Sequence, residues 1–460
     1  VGRRGVRSER YTRLAGRVGK GFAALVGDWQ GCHAPEIDAA AAMPTACPPA
    51  TPPAPLNVRR PRHRRAAALA AAWALVSVPA LAADDCAAAA AWPLWQQFAQ
   101  RFMQADGRVI DYSVAQQHST SEGQSYAMFF ALVARDRERF DKLWNWSVAN
   151  LSGGDVAAQL PAWQWGRKDD GSWGVVDANA ASDANLWFAY ALAEAGRVWA
   201  EPRYTAQAQA LVALIAKHEV AELPGLGATL LPATQGFMIG PRTWRLNPSY
   251  LPVPLARAMQ QLDPKGPWKA VLDSHARMLG ETTPKGFVAD WVAWHVPEGG
   301  GTGAFITDPQ KSDVGSYDAI RAYLWAGMTP RSDPLAPLLQ KRLGGMASLL
   351  QGGASVPPEQ VHVSIGHVDG QAPVGFSAAL LPYLQAAGAQ GALKTQQERV
   401  RRELLEAPKD APARYYDQVL GLFGTGFMEQ RYQFLPTGRL QLRWEKACPQ
   451  KGRSATTTTR

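Results

Sequence analysis

The chain has no G-x-S-x-G elbow, no H-E-x-x-H pair, no P-loop and no G-x-G-x-x-G opening a helix. Serine-esterase, zincin and nucleotide-binding chemistries therefore start without their motifs. Histidine is sparse, eight in 460 residues, and His118, His275 and His295 are not spaced as metal ligands. Neither a metal nor a cofactor is expected. Cysteine is scarcer still, at four. The apolar stretch AAALAAAWALVSV (66–78) is shorter than the roughly 20 residues a membrane span needs.

The net charge of +9 suggests a polyanion partner until it is located. Residues 1–83 hold 12 of the 48 basic residues and 4 of the 39 acidic ones, leaving 36 and 35 for residues 84–460. A nearly neutral remainder gives no electrostatic case for nucleic acid. The basic leader has its own logic. RRPRHRR (59–65), the short apolar run and the small residues up to Ala83 read as a secretory signal peptide over 58–83. The alternative is an uncleaved anchor. Residues 1–57 are expected to be an extension outside the mature protein, with translation starting at Met43 or near Val58. In an exported chain the isolated pair Cys86 and Cys448 is expected to form a disulfide joining the two ends, the alternative being two separate thiols.

From Trp92 onward the pattern is helical almost throughout. One set of segments is amphipathic and charged: 92–103, 136–151, 202–218, 267–280, 333–351 and 393–406. A second set is poor in charge and rich in aromatic and small residues: 120–134, 181–196, 247–261, 315–328, 373–388 and 414–426. Helices apolar nearly all round belong inside. Six outer and six inner helices in alternation predict an all-α protein with an (α/α)6 toroid, one catalytic domain spanning 84–455, and a disordered tail at 456–460. The long loops at 163–177, 225–244 and 290–305 are rich in Gly and Trp and lead into inner helices.

Three inner helices bring a carboxylate to their first turn: Glu122, Asp183 and Asp318. Acidic residues at such positions also serve simply as caps. Three of them among Tyr, Trp and Arg neighbours point instead to a cleft that cuts a glycosidic bond, which needs one protonated carboxyl and one carboxylate. A helix N-terminus lowers a carboxyl pKa, so burial and Asp183 must overcome it if Glu122 is an acid. Fifteen of the 17 tryptophans lie after residue 84, and flat sugar faces stack on such rings. Loop residues Trp163, Trp165, Trp173, Trp244, Trp291 and Trp294 are the candidates. Trp144, Trp146 and Trp199 look like packing residues.

The motifs TSEGQSYAMFFAL, ASDANLWFAYALAEAGRVW, NPSYLP, SYDAIRAYLWAGM and PVGFSAALLPYL together resemble glycoside hydrolase family eight, from about Trp92 to Trp444. The branch of the family to which the chain is most similar accompanies bacterial cellulose synthase in the periplasm. The resemblance implies an (α/α)6 barrel, an inverting mechanism and a β-1,4-glucan substrate. It makes Glu122 the general acid, Asp318 the general base and Asp183 the contact to the distorted sugar. Tyr317 and Arg321 flank the base, and Asn247 and Tyr250 fall in the segment facing the cleft. Gln124, Trp165, Trp244 and Tyr416 are further expected substrate contacts. The family pattern often has a second Asp where this chain has Asn185, so subsite contacts there are expected to differ. A periplasmic monomer functionally linked to a synthase complex is expected. The alternatives are another β-1,4 polymer, chitosan or xylan, and a weakly catalytic glucan-binding accessory; reducing-sugar release separates the last.

Overall fold

The structure is a computed structural model that describes residues 85–407 and 413–448. The expected extension (1–57), signal peptide (58–83) and tail (456–460) lie outside the described residues. Among those described, no helix is long and apolar enough to cross a membrane.

The charged segments form helices that bury one stripe. Helix α1 (Pro93–Phe102) buries Leu94, Trp95, Phe98, Ala99 and Phe102, a 3.6-residue stripe. Helix α3 (Arg137–Leu151) starts on Asp136, whose side chain accepts the Arg139 N–H. Helix α5 spans Pro202–His218, α7 spans Trp268–Glu281, and α12 spans Gln390–Val400. The segment 333–351 does not form one helix. It breaks at Leu343 into α9 (Ala336–Arg342) and α10 (Gly344–Gln351), where Gly344 and Gly345 carry little helical preference.

The charge-poor segments form the inner helices. These are α2 (Ser121–Val133), α4 (Ser182–Trp199), α6 (Val253–Leu262), α8 (Ala319–Met328), α11 (Val374–Ala386) and α13 (Tyr415–Met428). Every residue of α8 is buried, as is every residue of α2 except Glu122, which keeps a partly exposed edge. Each inner helix packs on the next in chain order. The last meets the first through rings, with Phe423 of α13 lying 4.6 Å from Phe130 of α2. Trp187 of α4 packs against three of these helices, its ring centre 4.8 Å from that of Phe129, 5.0 Å from Phe423 and 5.4 Å from Trp325. Close approach depends on glycine at two crossings. A Cβ on Gly424 would lie 1.9 Å from Ala378 O, and one on Gly327 2.2 Å from Tyr383 N.

The loops are more ordered than an all-α reading anticipates. They carry fourteen short strands in five small antiparallel sheets among the described residues. Strand β1 (Ser119–Thr120) runs directly into α2 and pairs with β2 (Gln164–Arg167), which pairs with β3 (Trp173–Asp177). Strands β4 (Val220–Leu223) and β5 (Gly227–Leu230) form a hairpin. A four-stranded sheet joins β6 (Met238–Gly240), β7 (Thr243–Leu246), β8 (Val292–His295) and β9 (Ala304–Thr307). Strand β10 (Val314–Gly315) leads to Asp318 and pairs with β11 (Gln360–His362), itself paired with β12 (His367–Asp369). The sheets thus fix the strand-to-helix junctions that hold the carboxylates. A last hairpin, β13 (Tyr432–Phe434) and β14 (Leu440–Leu442), precedes α14 (Arg443–Ala447). Cys86 and Cys448 are joined by a disulfide across 362 residues of sequence.

Candidate active site

Thr120 caps α2 by accepting the Gly123 N–H at 3.2 Å, which leaves Glu122 free of capping duty. Its Oε1 accepts the Trp163 indole N–H at 3.1 Å and its Oε2 the Ser121 hydroxyl at 3.3 Å. Burial, the largest cause, pushes the Glu122 carboxyl up to about 7, and the Asp183 charge adds to it. The backbone N–H at the helix start, Arg321 and Trp163 oppose the rise without cancelling it. Burial therefore wins over the helix terminus at this position.

Asp183 is almost fully buried at the start of α4. Its Oδ1 accepts the Ala184 N–H at 2.8 Å; its Oδ2 accepts the Tyr126 hydroxyl at 3.4 Å and Arg321 Nη1 at 3.3 Å. Burial raises its pKa, opposed by Arg321. Arg321, one turn into α8, is the hub. Its Nη2 donates to Asp318 Oδ1 at 2.7 Å and to Ser249 Oγ at 3.2 Å, and its guanidinium lies 5.5 Å from the Tyr250 ring centre. Ser249 Oγ in turn donates to Asn247 Oδ1 at 2.7 Å. The segment 247–250 is loop, not helix. Helix α6 starts only at Val253, after Pro252.

Asp318 stands at the N-cap of α8 rather than within its first turn, yet its side chain does not cap the helix. Asp290 takes over that task. Its Oδ1 accepts the backbone N–H groups of Ser316 (2.7 Å), Asp318 (3.1 Å) and Ala319 (2.7 Å). Asp318 is thereby released to pair with Arg321 through one oxygen, while its Oδ2 is buried without a hydrogen-bond partner among the described residues. Burial and the Asp318 charge push Asp290 up to about 7, against those N–H groups. Asn247 Nδ2 and Arg321 Nε are also buried and unpartnered among the described residues. Two donors and an acceptor left open around ion-paired carboxylates are what a site for a polyhydroxylated ligand presents.

The chain as a whole has relatives among known proteins. The sequence model described as glycosyl hydrolases family 8 matches residues 68–430. The chain belongs to that family. An endoglucanase of Pseudomonas fluorescens is 46% identical over 392 residues, 83% of this chain and 97% of that protein. An endoglucanase of Escherichia coli is 43% identical over 374 residues, covering 81% and 97%. The crystal structure of endo-1,4-D-glucanase from Vibrio fischeri superposes with a TM-score of 0.69 at 38% identity, covering 77% of this chain and all of that one.

Within this family 8 chain, the other expected contacts divide. Tyr416 donates its hydroxyl to the Tyr317 carbonyl at 2.8 Å, beside Asp318, and Tyr317 donates its own to Glu359 Oε1 at 2.7 Å. Trp165 lies opposite Ser119, stacked on the half-exposed Trp173 with centroids 5.5 Å apart. Trp244 sits on β7 opposite Trp294. Gln124 is a correction. It is fully buried on the far side of α2, where its Oε1 accepts the Val109 N–H and its Nε2 donates to the Gly107 and Leu143 carbonyls and to Ser147 Oγ. A side amide spent on packing the outer layer has nothing left for a ligand. Trp294 is likewise a packing residue, fully buried and donating to the Pro224 carbonyl.

Sequence reading missed Asp290 and Ser249. Asp290 lies in the Trp-rich loop 290–305, but nothing local marks it as the cap of a helix 29 residues on. Ser249 lies inside the NPSYLP motif, and its hydroxyl two residues from Asn247 is the available signal.

Proposed function

We propose that the chain is an endo-β-1,4-glucanase that inverts the anomeric centre, with the inner helices forming the ring of an (α/α)6 barrel and the outer helices surrounding it. The observation that carries the reading is the asymmetry of two carboxyls: Glu122 holds its proton near neutrality, while Asp318 is ion-paired through one oxygen with the other open. Glu122 protonates the departing glycosidic oxygen. A water attacks the anomeric carbon from the opposite face and gives its proton to Asp318 Oδ2. The bond to the leaving sugar breaks as the new C–O bond forms. Asp183, held by Arg321 and Tyr126, receives a sugar hydroxyl at the cleavage subsite, and Asn247 and Tyr250 extend the contact.

The relatives' names, endoglucanase and endo-1,4-D-glucanase, support a 1,4-linked glucan as substrate, and the family resemblance supports the β linkage. The family branch supports a periplasmic enzyme, secreted through the 58–83 signal, acting as a monomer in functional association with a cellulose synthase complex. Proton NMR of early products from cellohexaose tests the mechanism. The α-anomer should appear first, and a β-anomer would refute single displacement. Asp318→Asn should lower turnover on carboxymethylcellulose by about 10²–10⁴-fold, and wild-type rates in that variant would remove Asp318 from the role.

A further inference from the structure

Two residues beyond Asp183, Asn185 faces into the protein, and the turn between α5 and β4 sets Glu219 against it. Both side chains are fully buried. Asn185 Nδ2 donates to Glu219 Oε1 at 2.9 Å. The remaining oxygens, Asn185 Oδ1 and Glu219 Oε2, are both buried acceptors without a donor among the described residues. No cation is ion-paired with Glu219 among the described residues, and the adjacent His218 is exposed. Two orphaned acceptors on planar groups already joined by one N–H···O bond are a costly arrangement. A single proton on Oε2 satisfies both.

We propose that Glu219 is held as the neutral acid, with Oε2–H donating to Asn185 Oδ1, and that this reciprocal acid–amide pair is a positioning element for Asp183. Burial pushes the Glu219 carboxyl up to about 8; the Asn185 N–H opposes the rise and the Asp183 charge adds to it. The pair ties the α5–β4 turn to the first turn of α4, where Asp183 accepts from Ala184. Its neutrality matters as much as its geometry. Among the described residues Arg321 is the cation bonded to Asp183 and Asp318, with Glu122 and Asp290 also nearby. An ionised Glu219 would add a further negative charge beside Asp183 and push both Asp183 and Glu122 toward protonation.

The positioning role rests on the proposed function, whereas the protonation state does not, and the tests are separable. The first measurement is thermal unfolding of wild type and Glu219→Gln across pH 4.5 to 9. A carboxyl whose folded pKa lies above its unfolded value contributes fully below about 4.5, and that contribution is lost as pH rises to about 8. The melting temperature of Glu219→Gln should therefore gain steadily on wild type over that window and stay level above it. A difference independent of pH overturns the neutral acid. If Glu219→Gln does not fold, carbon NMR of labelled glutamates in the Glu122→Gln protein decides. One carboxyl must still titrate near 8, and a set titrating wholly in the ordinary range overturns the assignment.

The second measurement is the pH profile of cellohexaose hydrolysis. Glu219→Gln keeps a neutral pair and should leave the alkaline limb in place, whereas loss of an anion would move it to lower pH. Glu219→Ala should lower kcat several-fold with a rise in KM, and the Gln variant should recover most of both. Equal kinetics in the Ala variant and wild type would refute the positioning role. A widening melting gap in a protein without glucanase activity would uphold the proton and reject the proposed function.

Discussion

Glu122→Gln separates catalytic from structural effects of one carboxyl. Burial moves Glu122 from 4.5 to about 7, and each pKa unit corresponds to about 1.4 kcal/mol, so the shift amounts to about 3 kcal/mol. The sign follows from proton binding. The folded state holds the proton more tightly than the unfolded chain, so the contribution is complete below pH about 4.5 and lost as pH rises to about 7. Glutamine keeps the shape and never ionises. The variant should match wild type in stability at pH 4 and exceed it by about 3 kcal/mol at pH 8. The same substitution removes the proton given to the leaving oxygen, which should reduce turnover by about 10²–10⁴-fold at pH 6. Urea unfolding at the two pH values measures the first effect; reducing-sugar release from carboxymethylcellulose measures the second. A stability difference that does not change with pH would refute the desolvated, protonated Glu122, and retained activity would refute its role.

Two variants should move the alkaline limb of the pH profile in opposite directions. Asp183→Asn removes a charge that raises Glu122, so the limb should fall; Trp163→Phe removes an N–H that stabilises the anion, so the limb should rise. A shift of the same sign in both would contradict the electrostatic account. Asp290→Ala leaves three N–H groups at the start of α8 without their acceptor. It should cost about 2 kcal/mol or more and lower kcat through misplacement of Asp318, measured by denaturation and initial rates. Cys448→Ser opens the link to Cys86 and should lower stability by about 2–5 kcal/mol, with kcat preserved in the folded enzyme. Reducing the wild type should reproduce the loss.

The alternation of charged with charge-poor helices was legible in the sequence because periodicity and charge report which face meets water, although 333–351 folds as two helices, α9 and α10. Helix α5 falls on the very residues, 202–218, that the pattern marks, and α3 starts one residue after Asp136, its cap. The strands were not legible. Pieces of two to five residues are too short to show alternation, and most owe their form to a partner strand rather than to their own composition.

The catalytic candidates divide the same way. Local chemistry in the sequence determined that carboxyls sit at three helix starts, that Arg321 lies one turn from Asp318, and that apolar helices surround them. It had no means to rank those carboxyls, because a pKa is set by neighbours distant in the chain. Only the tertiary structure decided that Thr120 relieves Glu122 of capping, that Asp290 does the same for Asp318, and that Arg321 joins Asp183 and Asp318 while Glu122 takes Trp163. It also turned Gln124 from a ligand contact into a packing residue, since which face of a helix buried on nearly all sides meets the carboxyls depends on the helices around it.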